Sequence, residues 1–259
     1  MNIVKKTVKD DIPKIEVRHL ETKQKSEEEV NNHLIYIDST SELSAANRFI
    51  KNRFNKDADQ YDKWLEDFQF HLLFDEICQK YNFAGTIIDI GCGTGLGGKT
   101  ILKYNNGSRI TGIDFAEEMA KKAVQSGYAN VYVGLMEEIV PYLSSENKRF
   151  DHVISLGAIF CLSSDIVTNF LSSLFEIAEK SITLEIDEIT DEFLANIEKI
   201  QNFRAPFFNN TPIVERFHFP NNWKIVHKEK YYMWTSPTTK DKIYGIFVRY
   251  EKIVSEEIN

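Results

Sequence analysis

The sequence predicts an α/β fold with a doubly wound, mostly parallel sheet of seven strands, a C-terminal antiparallel hairpin and N-terminal helices. Three observations predict it. Short apolar runs alternate with amphipathic stretches between residues 85 and 186, a glycine-rich segment follows the first run, and two β-rich runs lie near the C-terminal end. Apolar runs of this length are typical of strands that are buried on both faces of a parallel sheet.

The five strands of the alternating region are expected to be parallel, because a crossover segment separates each strand from the next. They are predicted at residues 86–90, 109–113, 130–133, 152–156 and 181–186. Three helices are clearest: one follows the glycine-rich segment and ends near residue 104, and the others cover residues 116–125 and 165–178. Apolar residues in these stretches recur at spacings of three and four, which places them on one helical face.

The N-terminal part differs in composition from this region. Residues 1–45 are polar and charged, so we assign them to an N-terminal arm, and residues 46–259 to one domain. Aromatic residues at spacings of three to four predict that the domain begins with helices over residues 46–82.

The C-terminal part contains an insertion and a hairpin. Residues 187–222 are predicted to form the insertion, with a helix to residue 201 and then a loop that contains three prolines. Residues 223–234 and 243–253 are rich in β-forming residues and closely joined, which predicts an antiparallel hairpin at the edge of the sheet.

Composition excludes several classes of protein. Of the 259 residues, 42% are hydrophobic, and no apolar stretch is long enough for a membrane helix, so no membrane partner is expected. The three cysteines give no disulfide framework and suit a reducing compartment, which predicts a cytoplasmic protein. Histidines and cysteines show no metal-ligand spacing, so no metal is expected. The net charge of −8 makes nucleic acid an unlikely partner.

The glycine-rich segment at residues 87–98 carries the strongest signal of a binding site. Its glycines allow the backbone to turn tightly and to approach a ligand closely. The turn opens a helix, whose first amides are free to meet an electronegative group. About 20 residues later Asp114 ends the second strand, where a carboxylate suits the hydroxyls of a ribose.

Two kinds of ligand are compatible with this turn, and a chance glycine turn is a third interpretation. Gly93, Gly95 and Gly98 have the spacing of a dinucleotide-binding loop. Asp89 favours a different ligand, because it lies at the end of an apolar strand, two residues before Gly91. A pyrophosphate would increase the cost of burying this carboxylate, whereas a ligand with ammonium and sulfonium groups would reduce it.

The segment from Asp89 onwards resembles motif I, D-x-G-x-G-x-G, of the Rossmann-like S-adenosylmethionine-dependent methyltransferases, and Asp114 falls at the family's second motif. The resemblance extends over most of residues 57–190. It implies that S-adenosylmethionine is the cofactor and that the methyl group is transferred to a small molecule. The cofactor-binding residues that it implies are Tyr61, Asp89, Gly91, Cys92, Gly93, Gly95, Asp114, Phe115, Met119, Leu135, Met136, Glu137 and Leu156.

Three further segments refine the resemblance. The helix around Tyr61 looks like one that closes over the cofactor in small-molecule methyltransferases, which implies that the helices of residues 46–82 form a lid. Its aromatic face also suits plain packing. Leu135 and Met136 are expected to flank the adenine where relatives often have an aspartate, and Glu137 is the nearest acid. Residues 150–160 resemble motif IV, but Phe160 and the following cysteine replace a histidine pair found in many relatives, which leaves the acceptor chemistry open.

Candidates for a general base are His152, Glu185 and Asp187, which lie on or directly after predicted strands. His152 also suits a packed position inside its strand. The aromatic loop near residues 200–222 is expected to shape the acceptor pocket, or alternatively to pack in the core. Two other functions stay open: methylation of protein or RNA, and cofactor binding without catalysis.

Overall fold

The computed structural model describes residues 25–37, 43–66, 68–202, 204 and 206–254. Within them the chain forms one mixed sheet of eight strands. The strands are β1 Leu34–Tyr36, β2 Thr86–Ile90, β3 Arg109–Asp114, β4 Asn130–Val133, β5 Phe150–Leu156, β6 Ala178–Asp187, β7 Trp223–Thr235 and β8 Lys242–Lys252. Their order across the sheet is β1-β4-β3-β2-β5-β6-β8-β7.

Strands β1 to β6 are parallel to one another, and for β2 to β6 the alternating pattern predicts this direction. β8 pairs with β6 in the antiparallel direction, and β7 forms the predicted antiparallel hairpin with β8 at the edge. The strand order reverses between β2 and β5, so the carboxyl ends of β2, β3, β5 and β6 border one crevice. Ligands of open α/β sheets bind in such a crevice.

The eighth strand corrects both the predicted strand number and the extent of the arm. β1 lies at residues 34–36, inside the expected arm, and pairs with β4 from Leu34 opposite Val131. A three-residue strand is too short to show a period of two, which is why the sequence pattern missed it. The helix α1 at Glu27–Asn31 precedes it and is capped by Ser26. Residues 1–24 and 38–42 of the predicted arm lie outside the described residues.

The helices cover both faces of the sheet. The remaining helices are α2 Ala45–Asp57, α3 Tyr61–Leu65, α4 Phe70–Lys80, α5 Leu96–Tyr104, α6 Glu117–Gln125, α7 Met136–Ser145, α8 Val167–Ile177, α9 Asp191–Gln201 and α10 Thr211–Arg216. Apolar residues of α4, α5 and α6 pack with Ile87 and Ile110 in one core, and those of α7 and α8 pack with Ile88 and Ile113 in another. The fold is therefore doubly wound, as predicted.

The insertion contains more regular structure than the sequence predicts. β6 continues to Asp187, and α9 begins only at Asp191, where Thr190 accepts a hydrogen bond from the backbone of Phe193. The proline-containing loop includes the short helix α10, with Pro212 in its first turn, where proline is tolerated because that N–H has no helical partner. The later start of α9 leaves Asp187 at the end of a strand.

None of the described helices is long and apolar enough to cross a lipid bilayer.

Candidate functional site

A pocket of about 710 Å³, including its open mouth, lies at the carboxyl ends of the parallel strands. Its walls come from the strand ends, the loops that follow them and the lid helices α2 and α3. The lining residues are Asn47, Ile50, Phe54, Tyr61, Gly91, Gly93, Ile113, Asp114, Phe115, Met119, Gly134, Leu135, Met136, Glu137, Leu156, Gly157, Ala158 and Cys161. The lining is mostly apolar, as in small-molecule sites, and contains two acidic residues, Asp114 and Glu137.

The glycine turn forms the floor of this pocket. Gly91 and Gly93 both have positive φ angles, 72° and 52°, which side chains rarely allow. The backbone amides of Gly91 and Cys92 donate to the carbonyl of Ile113, at 2.8 and 2.9 Å, and hold the turn against β3. A Cβ added at Gly91 would lie 2.4 Å from the Cβ of Ala158, so this glycine is required by packing.

Asp114 joins the glycine turn to the end of β3. One carboxylate oxygen accepts from the backbone amide of Gly93 and the other from that of Ala116, both at 2.8 Å. The residue is only 8% exposed, and its burial raises the pKa of the carboxyl to about 6, although these two amides oppose the shift. Each oxygen keeps a second lone pair, so Asp114 is able to bind a ligand donor at the pocket wall.

The carboxylate of Asp89 is hydrogen-bonded to a buried tyrosine that the sequence analysis did not find. The hydroxyl of Tyr128 donates to the carboxylate of Asp89 and accepts from the backbone amide of Gly98 at 2.9 Å. Any side chain at position 98 would overlap the Tyr128 ring, which explains the glycine there. Burial raises the pKa of Asp89 to about 7; the Tyr128 hydrogen bond opposes the shift and the charge of Asp114 adds to it.

Asp89 reaches a small cleft that adjoins the main pocket. The cleft has about 360 Å³ and shares four lining residues with the main pocket: Tyr61, Gly91, Gly93 and Leu156. Asp89 and Cys92 line the cleft but not the main pocket. The Tyr61 side chain lies at the boundary between the two, 3.6 Å from the position of a Cβ at Gly93.

Cys92 and Gly95 serve mainly to pack and shape the glycine turn. Burial raises the pKa of the Cys92 thiol well above its usual value, and the sulfur lies 2.7 Å from the position of a Cβ at Gly112, so it fills space against β3. Gly95 lines neither cavity. Its φ of 89° and the nearby Ser126 and Tyr128 side chains leave no room for a Cβ, so it serves to start helix α5.

The far end of the pocket is apolar with one acid. Phe115 directly follows β3 and Met119 lies in α6, while Leu135 and Met136 stand at the start of α7. Met136 and Glu137 are the first residues of α7, so their amides have no acceptor within the helix. Burial raises the pKa of Glu137. The position of an adenine between these apolar side chains stays a prediction.

The lid helices cover the glycine turn. Tyr61 makes an edge contact with Phe54, with ring centroids 5.8 Å apart, and Thr94 in the turn donates a hydrogen bond to Asp62. Asn47 and Ile50 of α2 also line the pocket and were missed by the sequence analysis. Their spacing to Phe54 places all three on one helical face. This pattern identifies pocket residues only when the element that faces it is known.

His152 lies away from the pocket, in the amino-terminal half of β5. Its register partners are Ile87 at the start of β2 and Ser181 in β6. One ring nitrogen is 2.7 Å from the Ser181 hydroxyl and the other 3.3 Å from the carbonyl of Ala84. Burial lowers the pKa of His152 to about 4. The ring is neutral and fully engaged by the protein, so we do not retain it as a base.

Glu185 and Asp187 lie at the opposite, carboxyl-terminal end of β6. Alternate residues of a strand point to the same face, so both side chains project together. Tyr231 donates to one oxygen of Glu185 at 2.9 Å. The other oxygen of Glu185 and one oxygen of Asp187 are buried without a hydrogen-bond partner among the described residues. Both orphaned oxygens approach Gly157, which lines the pocket.

Comparison with known proteins agrees with this geometry. Residues 87–180 match a family model described as a methyltransferase domain. No curated protein matches the chain significantly. A methyltransferase complex with the Trm112 activator of Haloferax volcanii is similar in structure, at 14% identity and a TM-score of 0.57, with 81% of this chain and 100% of that chain covered.

Two further structures show the same fold. A methyltransferase that depends on S-adenosylmethionine, from Anabaena variabilis, has a TM-score of 0.52 at 13% identity and covers 84% of this chain and 99% of its own. The cyclopropane synthase MmaA2 from Mycobacterium tuberculosis has a TM-score of 0.53 at 12% identity, with 70% of this chain and 83% of that chain covered.

Residues 87–180, which contain the glycine turn, match a methyltransferase domain, and the fold around them is Rossmann-like. The chain is a methyltransferase enzyme, and S-adenosylmethionine is its methyl donor. The site fits this cofactor, because the turn is open at Gly93, a carboxylate with free lone pairs stands at Asp114, and a second carboxylate, Asp89, faces the adjoining cleft.

The raised pKa values predict how cofactor affinity depends on pH. Bound ammonium and hydroxyl donors favour the ionised forms of Asp89 and Asp114, whereas the free protein takes up protons below pH values of about 7 and 6. Binding therefore releases protons, and lowering the pH from 7.5 to 5.5 should weaken affinity by roughly tenfold or more. The groups around Asp89 are Tyr128, Asp114 and Cys92; the thiol and phenol do not titrate in this range.

Calorimetric titration with S-adenosylmethionine at the two pH values measures the effect. Asp89→Asn provides the control, because it should bind more weakly but with a flatter pH profile. A wild-type affinity that is equal at both pH values would show that neither carboxylate needs its charge for binding.

Proposed function

We propose that this enzyme transfers the methyl group of S-adenosylmethionine to a small-molecule acceptor. The acceptor would bind next to the ends of β5 and β6, under the insertion. The observation that carries the proposal is the packing of the insertion against the loop after β5. The backbone of Phe208 donates to the carbonyl of Phe160, and Phe207 packs edge-on against Phe160 with ring centroids 4.8 Å apart.

The insertion is tied directly to the loop that lines the pocket. Asn210 is buried and donates from its side-chain amide to the carbonyls of Ile159 and Leu162, both at 2.8 Å. These bonds hold residues 206–210 against the segment that presents Cys161 to the pocket. An aromatic segment fixed beside the pocket supports a small acceptor, because a nucleic acid or a folded protein needs an open surface.

Charge supports the same choice of acceptor. Asp89, Asp114, Glu185 and Asp187 all lie in or beside the crevice, and the whole chain has a net charge of −8. A nucleic-acid substrate would bring phosphates towards these carboxylates, whereas nucleic-acid sites normally offer basic side chains.

The residues of the chain act chiefly by binding and positioning. When bound, S-adenosylmethionine supplies an electrophilic methyl group. Asp114 and the Gly93 backbone are proposed to fix the cofactor on the floor, and Tyr61 is proposed to cover it and exclude water. Proximity and desolvation of this kind supply much of the rate acceleration in a reaction between two bound partners.

Direct binding tests the first part of the proposal. The purified chain is expected to bind S-adenosylmethionine and S-adenosylhomocysteine with Kd values in the micromolar range or below, measured by calorimetric titration. Formation of S-adenosylhomocysteine with pools of small molecules, RNA or protein then tests the acceptor class. Turnover only with RNA or protein would overturn the proposal, as would binding of nicotinamide dinucleotides in place of the adenosyl ligands.

The lid predicts a change in hydrogen exchange. Elements that close over a ligand have low local stability when the ligand is absent. Backbone amides of α2 and α3 should therefore exchange more slowly when S-adenosylhomocysteine is added, while those of α8, on the far face of the sheet, should not change. Mass spectrometry of peptides from residues 45–66 measures this. Identical exchange with and without ligand would indicate that α3 is a plain packing helix.

A further inference from the structure

The cleft beside the main pocket has two walls, which come from separate parts of the chain. The glycine turn supplies one wall through Gly91, Gly93 and Thr94, and the lid helix α3 supplies the other through Tyr61 and Leu65. α3 has only five residues, no side-chain cap and no buried residue. An isolated helix of this length is not stable in water, so contacts with its neighbours must hold α3 over the turn.

A hydrogen bond between two side chains joins these walls. The hydroxyl of Thr94 donates to a carboxylate oxygen of Asp62, which lies 32 residues earlier in the chain. Asp62 directly follows Tyr61, whose ring lies 3.6 Å from the position of a Cβ at Gly93. The bond therefore holds the part of α3 that places Tyr61 over the glycine turn.

The two partners of this bond differ in how firmly they are held. Thr94 is only 3% exposed, and its carbonyl accepts from the hydroxyl of Ser126 at 2.8 Å, so the end of α6 holds this wall in place. The Asp62 side chain is 45% exposed, and its second oxygen lies 3.9 Å from Nζ of Lys99. An ion pair as exposed as this one contributes little. The bond is thus able to open without unfolding the turn, because water hydrates Asp62 when Thr94 releases it.

A second polar contact of the lid lies outside the cleft. Asp59, just before α3, forms a 2.7 Å ion pair with Lys122 of α6. The Asp59 side chain is 91% exposed, and neither partner lines the cleft or the main pocket. This pair therefore offers a matched control for the loss of a lid carboxylate.

We propose that Thr94 and Asp62 are positioning residues for methyl transfer, because their hydrogen bond keeps α3 closed over the bound cofactor. The proposal rests on the proposed function and concerns the same site. The pair acts through Tyr61, which lines both the cleft and the main pocket. With the bond formed, the Tyr61 ring covers the boundary between the two cavities. With the bond broken, α3 moves away, water enters the cleft, and the cofactor loses one of its walls.

Closure of the lid and affinity for the cofactor are linked. A ligand that binds only the closed arrangement has an apparent Kd equal to its intrinsic Kd divided by the closed fraction of the protein. Loss of the bond weakens binding about fivefold if it lowers the closed fraction to about a fifth. Because Thr94 and Asp62 act through one bond, removing either partner should have the same effect, and removing both should add little.

Calorimetric titration of the full chain with S-adenosylhomocysteine tests the proposal. Thr94→Val and Asp62→Ala should each weaken binding by about fivefold or more, and the double variant should lose no more than about twofold beyond the weaker of the two. Thr94→Ser retains the hydroxyl, so it should bind within about twofold of the wild type. Asp59→Ala should do the same, because its ion pair is exposed and remote from the cleft.

Hydrogen exchange of the bound proteins distinguishes positioning by the lid from direct contact with the ligand. With S-adenosylhomocysteine bound, the peptide over residues 59–66 should exchange faster in Thr94→Val and Asp62→Ala than in the wild type, while peptides of α8 should not change. Normal affinity of Asp62→Ala, losses that multiply in the double variant, or unchanged exchange of this peptide would overturn the proposal.

Thermal unfolding shows whether the variants are folded. Asp62 is half-exposed, so Asp62→Ala should melt close to the wild type and keeps the test valid even if Thr94→Val is destabilised. Wild-type binding of S-adenosylhomocysteine is measured first, so a failure of the proposed function is recognised separately.

Discussion

Asp114→Ala is expected to weaken binding of S-adenosylmethionine by ten- to several-hundredfold. Two ribose hydroxyls can donate to one carboxylate, and hydrogen bonds to a charged acceptor contribute about 1.5–3 kcal/mol each. A free-energy change of 1.4 kcal/mol corresponds to a tenfold change in Kd. The structure adds an indirect contribution, because the same carboxylate also holds the backbone amide of Gly93 in the glycine turn.

The variant should also lose stability, because the amides of Gly93 and Ala116 lose their acceptor. Leaving buried donors unpaired costs about 1–3 kcal/mol. Affinity and melting temperature measured on the same sample separate the two roles, and Glu179→Ala, an exposed carboxylate at the start of β6, controls for the loss of charge. A destabilised Asp114 variant with normal affinity would show that Asp114 only holds the local backbone and does not bind the cofactor.

Gly93→Val is expected to reduce cofactor affinity more than a hundredfold, to the limit of calorimetric detection. The Cβ of a residue at position 93 would face the Tyr61 ring across the pocket, 3.6 Å away, in the space where a ligand must approach the backbone. A branched side chain also disfavours the φ of 52° found here. Steric exclusion and a distorted turn act in the same direction.

Gly107 provides the matched control. It lies in the connection between α5 and β3, and a Cβ there would meet nothing within 4 Å. Gly107→Val should therefore keep wild-type affinity, while Gly93→Ala should show an intermediate loss with less backbone strain than valine. If Gly93→Val is folded and binds the cofactor normally, the turn is not part of the binding site.

The amino-acid sequence by itself determined the α/β class and the position of the glycine turn. Both depend on local patterns: apolar runs long enough to be buried strands, and glycines that follow the first of them. Asp114 was also placed correctly at the end of the second strand, because the strand and its last residue are adjacent in the chain. Its lining of the pocket then follows from the parallel sheet.

Only the tertiary structure decided how the buried polar groups are paired. Tyr128 is 39 residues from Asp89, and no local pattern connects them, yet the fold makes them hydrogen-bond partners. His152 and Asp187 were equal candidates in the sequence. The register of β5 places His152 near the carbonyl of Ala84, away from the crevice. β6 ends at Asp187, beside the crevice.

The same reason explains the edge strand β1 and the orphaned oxygens of Glu185 and Asp187. A three-residue strand is stabilised by its pairing with β4, which lies almost 100 residues later, rather than by its own composition. A carboxylate without a partner is recognised only when every group around it in space is known. The chain fixes the order of donors, acceptors and apolar surfaces, but the free energy of burying them depends on neighbours that meet only when the sheet is assembled.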